Sequence, residues 1–411
     1  MRVLIISTLY DGGGAEIQSK FEFDLLNRKG VTASYVTFDP ALKTGESVVA
    51  GHLNLFGSYS KNYRRKADFL YDTKVEKILF NYIHEFQPDI VHLHQVGFAA
   101  RSIYSVLKNW PCIQTVHDFS IVCDKGTCIL PNGCPCQKGE SGECLSNCYS
   151  ATAKSRVKYY YRRLIRRKID KERRMAVDKY IAPSACLTSY LKEKGYNAIC
   201  INNAIDTAEF GAFKKNNMSG KRVILYYGGI RKSKGVALLL QAYEPQKMDN
   251  LEIHIIGGFD TGRVEDAYDE ESFMSMIKDK KVFFHGKKSH KEAISFLEQV
   301  FAVVVPSVWM ENYPTTAIEG IYGECIVCGS NRGGVPELVE EKELIFDVTD
   351  IEDLQRCLMR LNDMSNEEYN KICKHQLEAF SNRNTPEAYF KRLLDVFEEE
   401  LKSDNSKKDD N

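Results

Sequence analysis

Short apolar runs rich in β-branched residues recur along the first half of the chain, and stretches with helical periodicity separate them. Each run has the length of a strand. Strands that alternate with helices in this way predict a parallel sheet with helices on both faces. The predicted strands of this half are 3–7, 33–38, 90–94, 113–117, 180–183 and 199–202.

A second series of the same kind follows a polar, basic stretch at 214–221 that contains glycine and asparagine. Such a break in composition is typical of a linker. The pattern therefore predicts an α/β protein with two domains, each built on a parallel sheet. The predicted segments are a domain over 1–206, a linker over 207–221, a domain over 222–380, a helix over 381–402 and a disordered, charged tail over 403–411.

Length and charge agree with two domains and narrow the classes of partner. A chain of 411 residues exceeds what one core usually fills. The formal net charge is zero, so no global field attracts nucleic acid. No apolar run is long enough to span a bilayer, and the start shows no signal-peptide pattern. We therefore expect a cytoplasmic protein in which most of the 13 cysteines are reduced.

Two glutamates stand eight residues apart in the second half of the chain. Glu311 follows the apolar run 301–305, so we expect it on the loop that leaves a buried strand. Glu319 lies further along a predicted helix, about 7.5 Å from its start, a reach comparable to that from a phosphate to a ribose. Ionised carboxylates accept paired hydroxyl bonds well. From the spacing alone, two solvated glutamates near a helix end are the favoured interpretation.

The helix start between these glutamates is a candidate phosphate site. Pro314 suits the first turn of a helix, because its missing N–H removes no hydrogen bond there. The next residues, Thr315, Thr316 and Ala317, are expected to have unpaired amides. Unpaired amides at the positive end of a helix suit a diphosphate.

With their surroundings, these residues resemble the E-x7-E signature of retaining glycosyltransferases of the GT-B architecture, specifically glycosyltransferase family 4 (glycosyl transferases group 1). The resemblance covers nearly the whole chain and implies two facing Rossmann-like domains with an interdomain cleft, and a final helix that crosses back to the first domain. Its other motifs are Gly12-Gly13-Gly14-Ala15-Glu16, Asn203-Ala204-Ile205-Asp206 with Phe210, Gly228-Gly229, Lys234-Gly235, Ile253-His254-Ile255-Ile256-Gly257, Val282-Phe283-Phe284-His285-Gly286 and Gly333-Gly334-Val335-Pro336-Glu337.

The resemblance also implies roles for single residues. Lys234 matches a phosphate-binding lysine, Glu319 would hold the ribose, and Glu311 would fix hydroxyls of the donor sugar. Gly229 departs from the family, which usually has an arginine there, and Arg231 is a displaced substitute. No metal or other cofactor is implied for catalysis, because cations and the helix start neutralise the diphosphate. The expected catalytic residues are His117, Lys234 and Glu311, and the expected donor contacts are Gly13, Gly14, Arg231, Asn312, Tyr313, Pro314, Thr315, Thr316 and Glu319.

The first domain contributes glycines and a histidine to the prediction. Gly13 and Gly14 lack a Cβ, which lets backbone amides approach a ligand, although a tight turn before a helix needs glycine too. His117 ends a predicted strand, at the edge where open parallel sheets bind ligands. The resemblance places it against the donor sugar and the acceptor. We interpret His92 and His94 as packing or acceptor-side residues, since no third ligand supports a metal.

An insertion at 119–150 carries six cysteines within 26 residues. Clustered thiols in a loop too polar to form its own core suggest a structural zinc ion, although their spacings match no standard zinc ribbon. Reduced thiols or disulfides formed on oxidation are the alternatives. The cysteines are Cys123, Cys128, Cys134, Cys136, Cys144 and Cys148.

A basic amphipathic helix is predicted directly afterwards, over 151–177. Between Lys154 and Arg174 it has eleven Lys or Arg and two acids. Such a helix can lie on an anionic membrane, with about 1 kcal/mol for each nearby cation. A solvated helix that packs by its apolar stripe, or contact with nucleic acid, are alternatives. The stripe consists of Val157, Tyr161, Leu164, Ile165 and Ile169.

These observations predict retaining transfer of a hexose from a nucleotide-diphosphate sugar to a hydroxyl of a glycan or lipid-linked glycan, in polysaccharide biosynthesis. The enzyme would be peripheral on the inner face of the membrane and would not bind nucleic acid. A nucleotide-sugar epimerase of the same architecture is an alternative, but it should lack the paired glutamates and this helix start. A non-catalytic subunit that binds the sugar nucleotide is another, and Gly229 is the hint of it.

Overall fold

The computed structural model describes residues 1–60, 63, 71–137, 139, 141, 143–149, 152–210, 215, 220–259, 266–278, 280–381 and 383–409. The chain forms two compact units. The first contains Met1–Gly126, Gln137–Asn202 and Glu387–Asn411, and the second contains Thr127–Cys136 and Asn203–Pro386.

The described residues of the first unit form a seven-stranded parallel sheet with strand order β3-β2-β1-β4-β5-β6-β7. Its first strand in the chain, which lies inside the sheet, is fully buried from Val3 to Ile6. The strands are β1 (Arg2–Ser7), β2 (Thr32–Thr37), β3 (His52–Asn54), β4 (Ile90–Leu93), β5 (Cys112–Thr115), β6 (Lys179–Ala182) and β7 (Ala198–Cys200). The helices are α1 (Gly14–Arg28), α2 (Thr73–Phe86), α3 (Ala100–Leu107), α4 (Cys144–Cys148), α5 (Ala153–Ala176) and α6 (Ala185–Glu193).

The second unit has a six-stranded parallel sheet in its described residues, with strand order β10-β9-β8-β11-β12-β13. All six residues of its apolar strand β11 are buried. The strands are β8 (Arg222–Tyr227), β9 (Leu251–Ile256), β10 (Val282–Phe284), β11 (Val300–Val305), β12 (Ile326–Ser330) and β13 (Ile345–Phe346). The helices are α7 (Val236–Ala242), α8 (Glu270–Ile277), α9 (His290–Phe296), α10 (Thr315–Tyr322), α11 (Ile351–Asp363) and α12 (Asn366–Phe380).

The predicted fold class is confirmed, because each unit is a Rossmann-like parallel sheet with helices. In such sheets ligands bind beyond the carboxyl ends of the strands, where the strand order reverses. The order reverses between β1 and β4 in the first unit, and between β8 and β11 in the second.

The last helix, α13 (Pro386–Asp409), groups with the first unit from Glu387 onward. Lys179 Nζ lies 2.8 Å from Glu400 Oε1, and Leu393 and Phe397 are buried. The helix begins later than the predicted start at residue 381. The predicted disordered tail is helical over 403–409 in this structure, as a continuation of α13; 410–411 lie outside the described residues.

The predicted linker and the predicted cysteine-rich insertion differ in part from the structure. Within the predicted linker, Thr207–Phe210 forms a short 3-10 helix, whereas 211–214 and 216–219 lie outside the described residues. The cysteine-rich insertion was predicted to belong wholly to the first domain, but its stretch Thr127–Cys136 groups with the second unit. There the carbonyl oxygen of Gly133 accepts a hydrogen bond from Arg332 Nη2 at 2.8 Å.

Candidate functional site

Lys234 and Glu311 meet where the strand order of the second sheet reverses. Lys234 Nζ lies 2.5 Å from Glu311 Oε1, and Ser307 Oγ donates to the same oxygen at 2.7 Å. Burial acts to raise the pKa of Glu311, but the charge and hydrogen bond of Lys234 outweigh burial and lower this pKa below its ordinary value. Glu311 is therefore ionised beside Lys234, and the sequence prediction placed both residues at the site.

Gly333 holds the backbone next to Glu311. It adopts a φ of +58°, and a Cβ at this position would lie 1.9 Å from the carbonyl oxygen of Glu311. The N–H of Gly334 donates to that oxygen at 2.8 Å. A side chain at position 333 would therefore displace the loop that presents the carboxylate.

The turn that carries Lys234 is held by a carboxylate. Asp266 accepts hydrogen bonds from the backbone N–H and the hydroxyl of Ser233, at 2.7 and 2.6 Å. Arg231 precedes this turn, and its Nε lies 3.5 Å from the place that a Cβ of Gly229 would occupy. The arginine side chain thus lies beside the position at which the resembled family has its arginine.

The start of α10 has no side-chain cap and no acid in its first turn. Pro314 is the residue before the helix, and the N–H of Ala317 donates to its carbonyl oxygen at 3.2 Å. The expectation of an unpaired amide is therefore wrong for Ala317. No acceptor for the amides of Thr315 and Thr316 is found in the described part of the chain. Two amides at the positive helix end are left to bind an anion.

Glu319 lies one turn further along α10 and is 5% exposed. Its Oε1 is 3.1 Å from His290 Nε2, whereas Oε2 has no hydrogen-bond partner among the described residues. A buried carboxylate oxygen without a donor is costly. The geometry is therefore suited to accept a hydroxyl bond from a ligand.

The loop between Glu311 and α10 is strained at Tyr313, which has a φ of +70° and a side chain buried in the second unit. Asn203 Nδ2 donates to the carbonyl oxygen of Tyr313 at 3.3 Å, and Asn384 Nδ2 lies 3.3 Å from its hydroxyl. A positive φ in a bulky residue costs about 1–3 kcal/mol and persists only where its surroundings enforce it. Tyr313 thus shapes the loop through its backbone, and the preceding Asn312 is half-buried.

In the first unit, His117 belongs to a buried cluster of histidines around one carboxylate. His117 Nε2 is 2.9 Å from His94 Nδ1, and His94 Nε2 is 3.4 Å from Glu22 Oε2. His92 Nδ1 lies 2.5 Å from Glu22 Oε1, and the hydroxyl of Tyr389 donates to Oε2 at 2.6 Å. The sequence prediction identified the histidines but missed Glu22 and Tyr389.

The charge of Glu22 favours one arrangement of the protons in this cluster. Burial acts to raise the pKa of Glu22, but His92 and His94 lower it well below its usual value, so the carboxylate is ionised. It shares a hydrogen bond with His92, whereas its 3.4 Å approach to His94 Nε2 is an electrostatic contact. Burial lowers the pKa of His94 and of His117, and both rings are neutral at pH 7. In the His94–His117 hydrogen bond one ring donates and the other accepts. The nearby charge of Glu22 favours the proton of His94 on Nε2, in which case His117 donates from Nε2 and has a lone pair on Nδ1.

The three side chains Glu22, His92 and His94 also form the one metal-like group found among the described residues, with ligand atoms within 4.8 Å of one another. The separation of 2.5 Å between Glu22 and His92 is that of a hydrogen bond. Two ligands of one zinc ion stand about 3 Å apart or more. The cysteines of the insertion form no such group in this part of the chain, and the zinc site there stays a prediction.

The glycine loop of the first unit already uses one of its amides. The N–H of Gly13 donates to Glu16 Oε2 at 2.8 Å, which caps α1. A Cβ on Gly14 would meet no atom within 4 Å, so the space beside Gly14 is open. An anion could approach the amide of Gly13 only after Glu16 had turned away.

Family models match consecutive parts of this chain. Residues 12–209 match Glycosyltransferase Family 4, and residues 209–380 match Glycosyl transferases group 1. A protein of Klebsiella pneumoniae, described as an uncharacterized 42.6 kDa protein in the cps region, is 21% identical over 378 residues, which cover 86% of this chain and 91% of that protein.

Solved structures resemble the fold over nearly the whole chain. Sucrose-phosphate synthase of Thermosynechococcus elongatus matches with a TM-score of 0.72 and 16% identity, covering 98% of this chain and all (100%) of that one. An Anabaena protein in complex with UDP-glucose matches with a TM-score of 0.67 and 12% identity, covering 97% and 100%. These likenesses show the GT-B fold. Because the two family models adjoin and together run from residue 12 to residue 380, the chain belongs to the family 4, group 1 glycosyltransferases.

Proposed function

We propose that this glycosyltransferase moves a hexose, with retention of configuration, from a nucleotide-diphosphate sugar to a hydroxyl of a glycan or lipid-linked glycan in polysaccharide biosynthesis. The observation that carries the proposal is the arrangement in the second unit. A charged Lys234–Glu311 pair, two unpaired amides at the start of α10 and the unpartnered Oε2 of Glu319 match a sugar, a diphosphate and a ribose. The Anabaena protein's UDP-glucose and the Klebsiella protein's cps region support this choice.

Transfer breaks the bond between the anomeric carbon and the diphosphate oxygen and forms a bond from the same carbon to the acceptor oxygen. The proton of the acceptor hydroxyl passes to the departing diphosphate. Lys234 and the amides of Thr315 and Thr316 stabilise the charge that develops there, and one such donor is worth about 3–4 kcal/mol. Glu311 binds hydroxyls of the sugar, and His117 orients the sugar or the acceptor through Nδ1.

Arg231 serves as the second cation on the diphosphate and replaces the arginine missing at Gly229. We propose that the reaction uses no divalent metal, because these cations and the helix start already compensate the leaving group. Turnover should then be unchanged by a chelator. A chelator-sensitive rate that Mg²⁺ or Mn²⁺ restores would contradict this part.

The membrane proposal rests on α5. Its residues Val157, Tyr161 and Leu164 are 69%, 56% and 59% exposed, and lysines and arginines surround them. The predicted apolar stripe therefore does not pack as a whole, since Ile165 is buried and these three are not. An exposed apolar row with cations is suited to an anionic membrane surface. Among the described residues, no helix is both long and apolar enough to cross a bilayer.

The test is hydrolysis of UDP-, GDP- and ADP-sugars, read as release of the nucleoside diphosphate, followed by transfer to a lipid-linked acceptor. Glu319→Ala should weaken donor binding, because a ribose contact changes little during the reaction. Glu311→Ala should mainly slow turnover, because the sugar contact does change. An epimerase would convert the donor sugar without releasing the nucleoside diphosphate. A non-catalytic subunit would bind the donor but would neither convert it nor release the nucleoside diphosphate.

A further inference from the structure

A cavity of about 290 Å³ in the first unit is lined largely by cations from α5. The lining includes five arginines and a lysine, against one carboxylate, that of Asp170, among the described residues. Asp124, from the insertion, lies 3.7 Å from one of these arginines. The six lining cations therefore outnumber the two acids by four. The cations are Arg163, Arg166, Arg167, Arg173, Arg174 and Lys194.

Two acids pair with three of these arginines: Asp170 lies 3.3 Å from Arg173 and 2.9 Å from Arg174, and Asp124 lies 3.7 Å from Arg166. Backbone carbonyl oxygens hold the same guanidinium groups from other sides. Arg166 Nη2 donates to the carbonyl oxygen of Ser120 at 2.7 Å. Arg174 donates to the carbonyl oxygens of Gly195 and Lys194, at 3.0 and 2.8 Å. Carbonyl partners orient a guanidinium without neutralising it. Two acids among six cations leave an excess of positive charge around the cavity, which an anion would compensate, and the guanidinium fork fits phosphate oxygens closely.

The exposed apolar row of α5 lies next to the cavity. Leu164 follows Arg163 directly, and Arg167 is about 4.5 Å further along the helix axis. A ligand that contacts both features must combine a phosphate group with an apolar chain. The cavity wall also includes Ile121, four residues after His117, so the same insertion connects the cavity to the proposed catalytic histidine.

We propose that this cavity binds the phosphate or diphosphate of a lipid-linked acceptor, while the apolar row of α5 contacts the membrane that holds its lipid chain. The proposal rests on the proposed function in that it names the acceptor class. In this proposal the arginines form one specific binding site, whereas general attraction to an anionic membrane needs no particular arrangement of charges.

The test measures binding of the full chain to phosphatidylcholine vesicles that contain a polyprenyl diphosphate, at physiological ionic strength. Arg163→Gln/Arg167→Gln removes two cations of the cavity. Arg156→Gln/Lys158→Gln removes two exposed cations of the same helix that do not line it. The cavity variant should bind at least about tenfold more weakly, which corresponds to a loss of about 1.4 kcal/mol of binding free energy. The control variant should bind like wild type. Thermal unfolding checks that both variants fold.

Other ligands separate the sources of phosphate. If vesicles with phosphatidylglycerol bind as well as those with polyprenyl diphosphate, and both variants lose binding equally, general charge attraction explains the result and the site is refuted. If pyrophosphate binds the cavity in solution but the lipid does not, a lipid-linked ligand is refuted. Donor hydrolysis without acceptor tests the proposed function separately, because it needs the second unit's residues and not this cavity.

Discussion

His117 and Glu311, one in each unit, are both held firmly, but by different physics. Glu311 is paired with a cation, and next to it lie two amides that have no acceptor in the described chain. His117 lies at the end of a buried cluster in which one carboxylate is hydrogen-bonded to a histidine and a tyrosine and lies 3.4 Å from a second histidine. The second unit thus presents charge, whereas the first unit presents one lone pair in a defined direction. Charge stabilises a leaving group, and a directed lone pair orients a hydroxyl.

Removal of Lys234 should have the largest effect. Lys234→Ala should lower kcat by about 10³-fold, because it takes away a cation on the diphosphate. It should also destabilise the second unit by about 3 kcal/mol, because Glu311 is left buried without its partner. Steady-state kinetics and thermal unfolding measure the two effects.

The double variant Lys234→Ala/Glu311→Gln separates them. It should regain much of the stability and none of the activity, since the buried charge is gone but the leaving group is still uncompensated. Equal stability of the single and double variants would show that the pair is not an electrostatic unit.

Gly333→Ala should cost about 3 kcal/mol of stability, because alanine is strained at positive φ and its Cβ would overlap the carbonyl oxygen of Glu311. Turnover should fall with it. Gly334→Ala is the matched control, since Gly334 has a φ of −87° that any residue adopts. If both variants unfold at the wild-type temperature, Gly333 does not hold the loop.

Glu22→Gln tests the histidine cluster of the first unit. The amide removes the negative charge that favours the proton of His94 on Nε2, so the tautomer of His94, and with it the direction of the His94–His117 hydrogen bond, should change. Turnover should fall by about 10- to 100-fold while nucleotide binding stays as in wild type. Nitrogen NMR of labelled histidines should show the tautomer change, which a merely structural role of Glu22 would not produce. Tyr389→Phe removes one donor to Glu22 and should have a smaller effect.

The smallest expected effect is on pH dependence. Burial lowers the pKa of His117 and of His94, so the folded chain does not take up protons there at the pH at which an unfolded histidine does. The stability of the first unit should be complete above about pH 6.5 and should decrease below it, by at most about 1.4 kcal/mol per pH unit for each histidine. Urea unfolding over a window of about pH 7.5 to 5.5, which spans the ordinary pKa of histidine, measures this slope. His117→Asn should reduce the slope of the unfolding free energy against pH by the contribution of one proton. An unchanged slope would refute the assignment of His117 as neutral.

The sequence predicted most of the fold because apolar runs and helical patterns are local signals. Strand β3 was not predicted, because His52 and Asn54 give it polar ends and its formation depends on pairing with β2. Glu311 and Glu319 were predictable because they lie close together in the sequence, on either side of the start of one helix. Glu22 and Tyr389 were not, because 367 positions separate them and nothing in either neighbourhood indicates that they meet at His92 and His94.

Helix α13 packs on the first unit but is translated last, so the first unit cannot finish folding until synthesis is nearly complete. The whole second unit after Asn203 is translated before Tyr389, which takes about 10–40 s at usual rates. During that time the nascent first unit lacks the helix that covers it with Leu393 and Phe397 and completes the bonds of Glu22. Ribosome-bound chains therefore carry an uncovered apolar surface that chaperones can recognise, and the oldest part of the nascent chain is the last to finish folding.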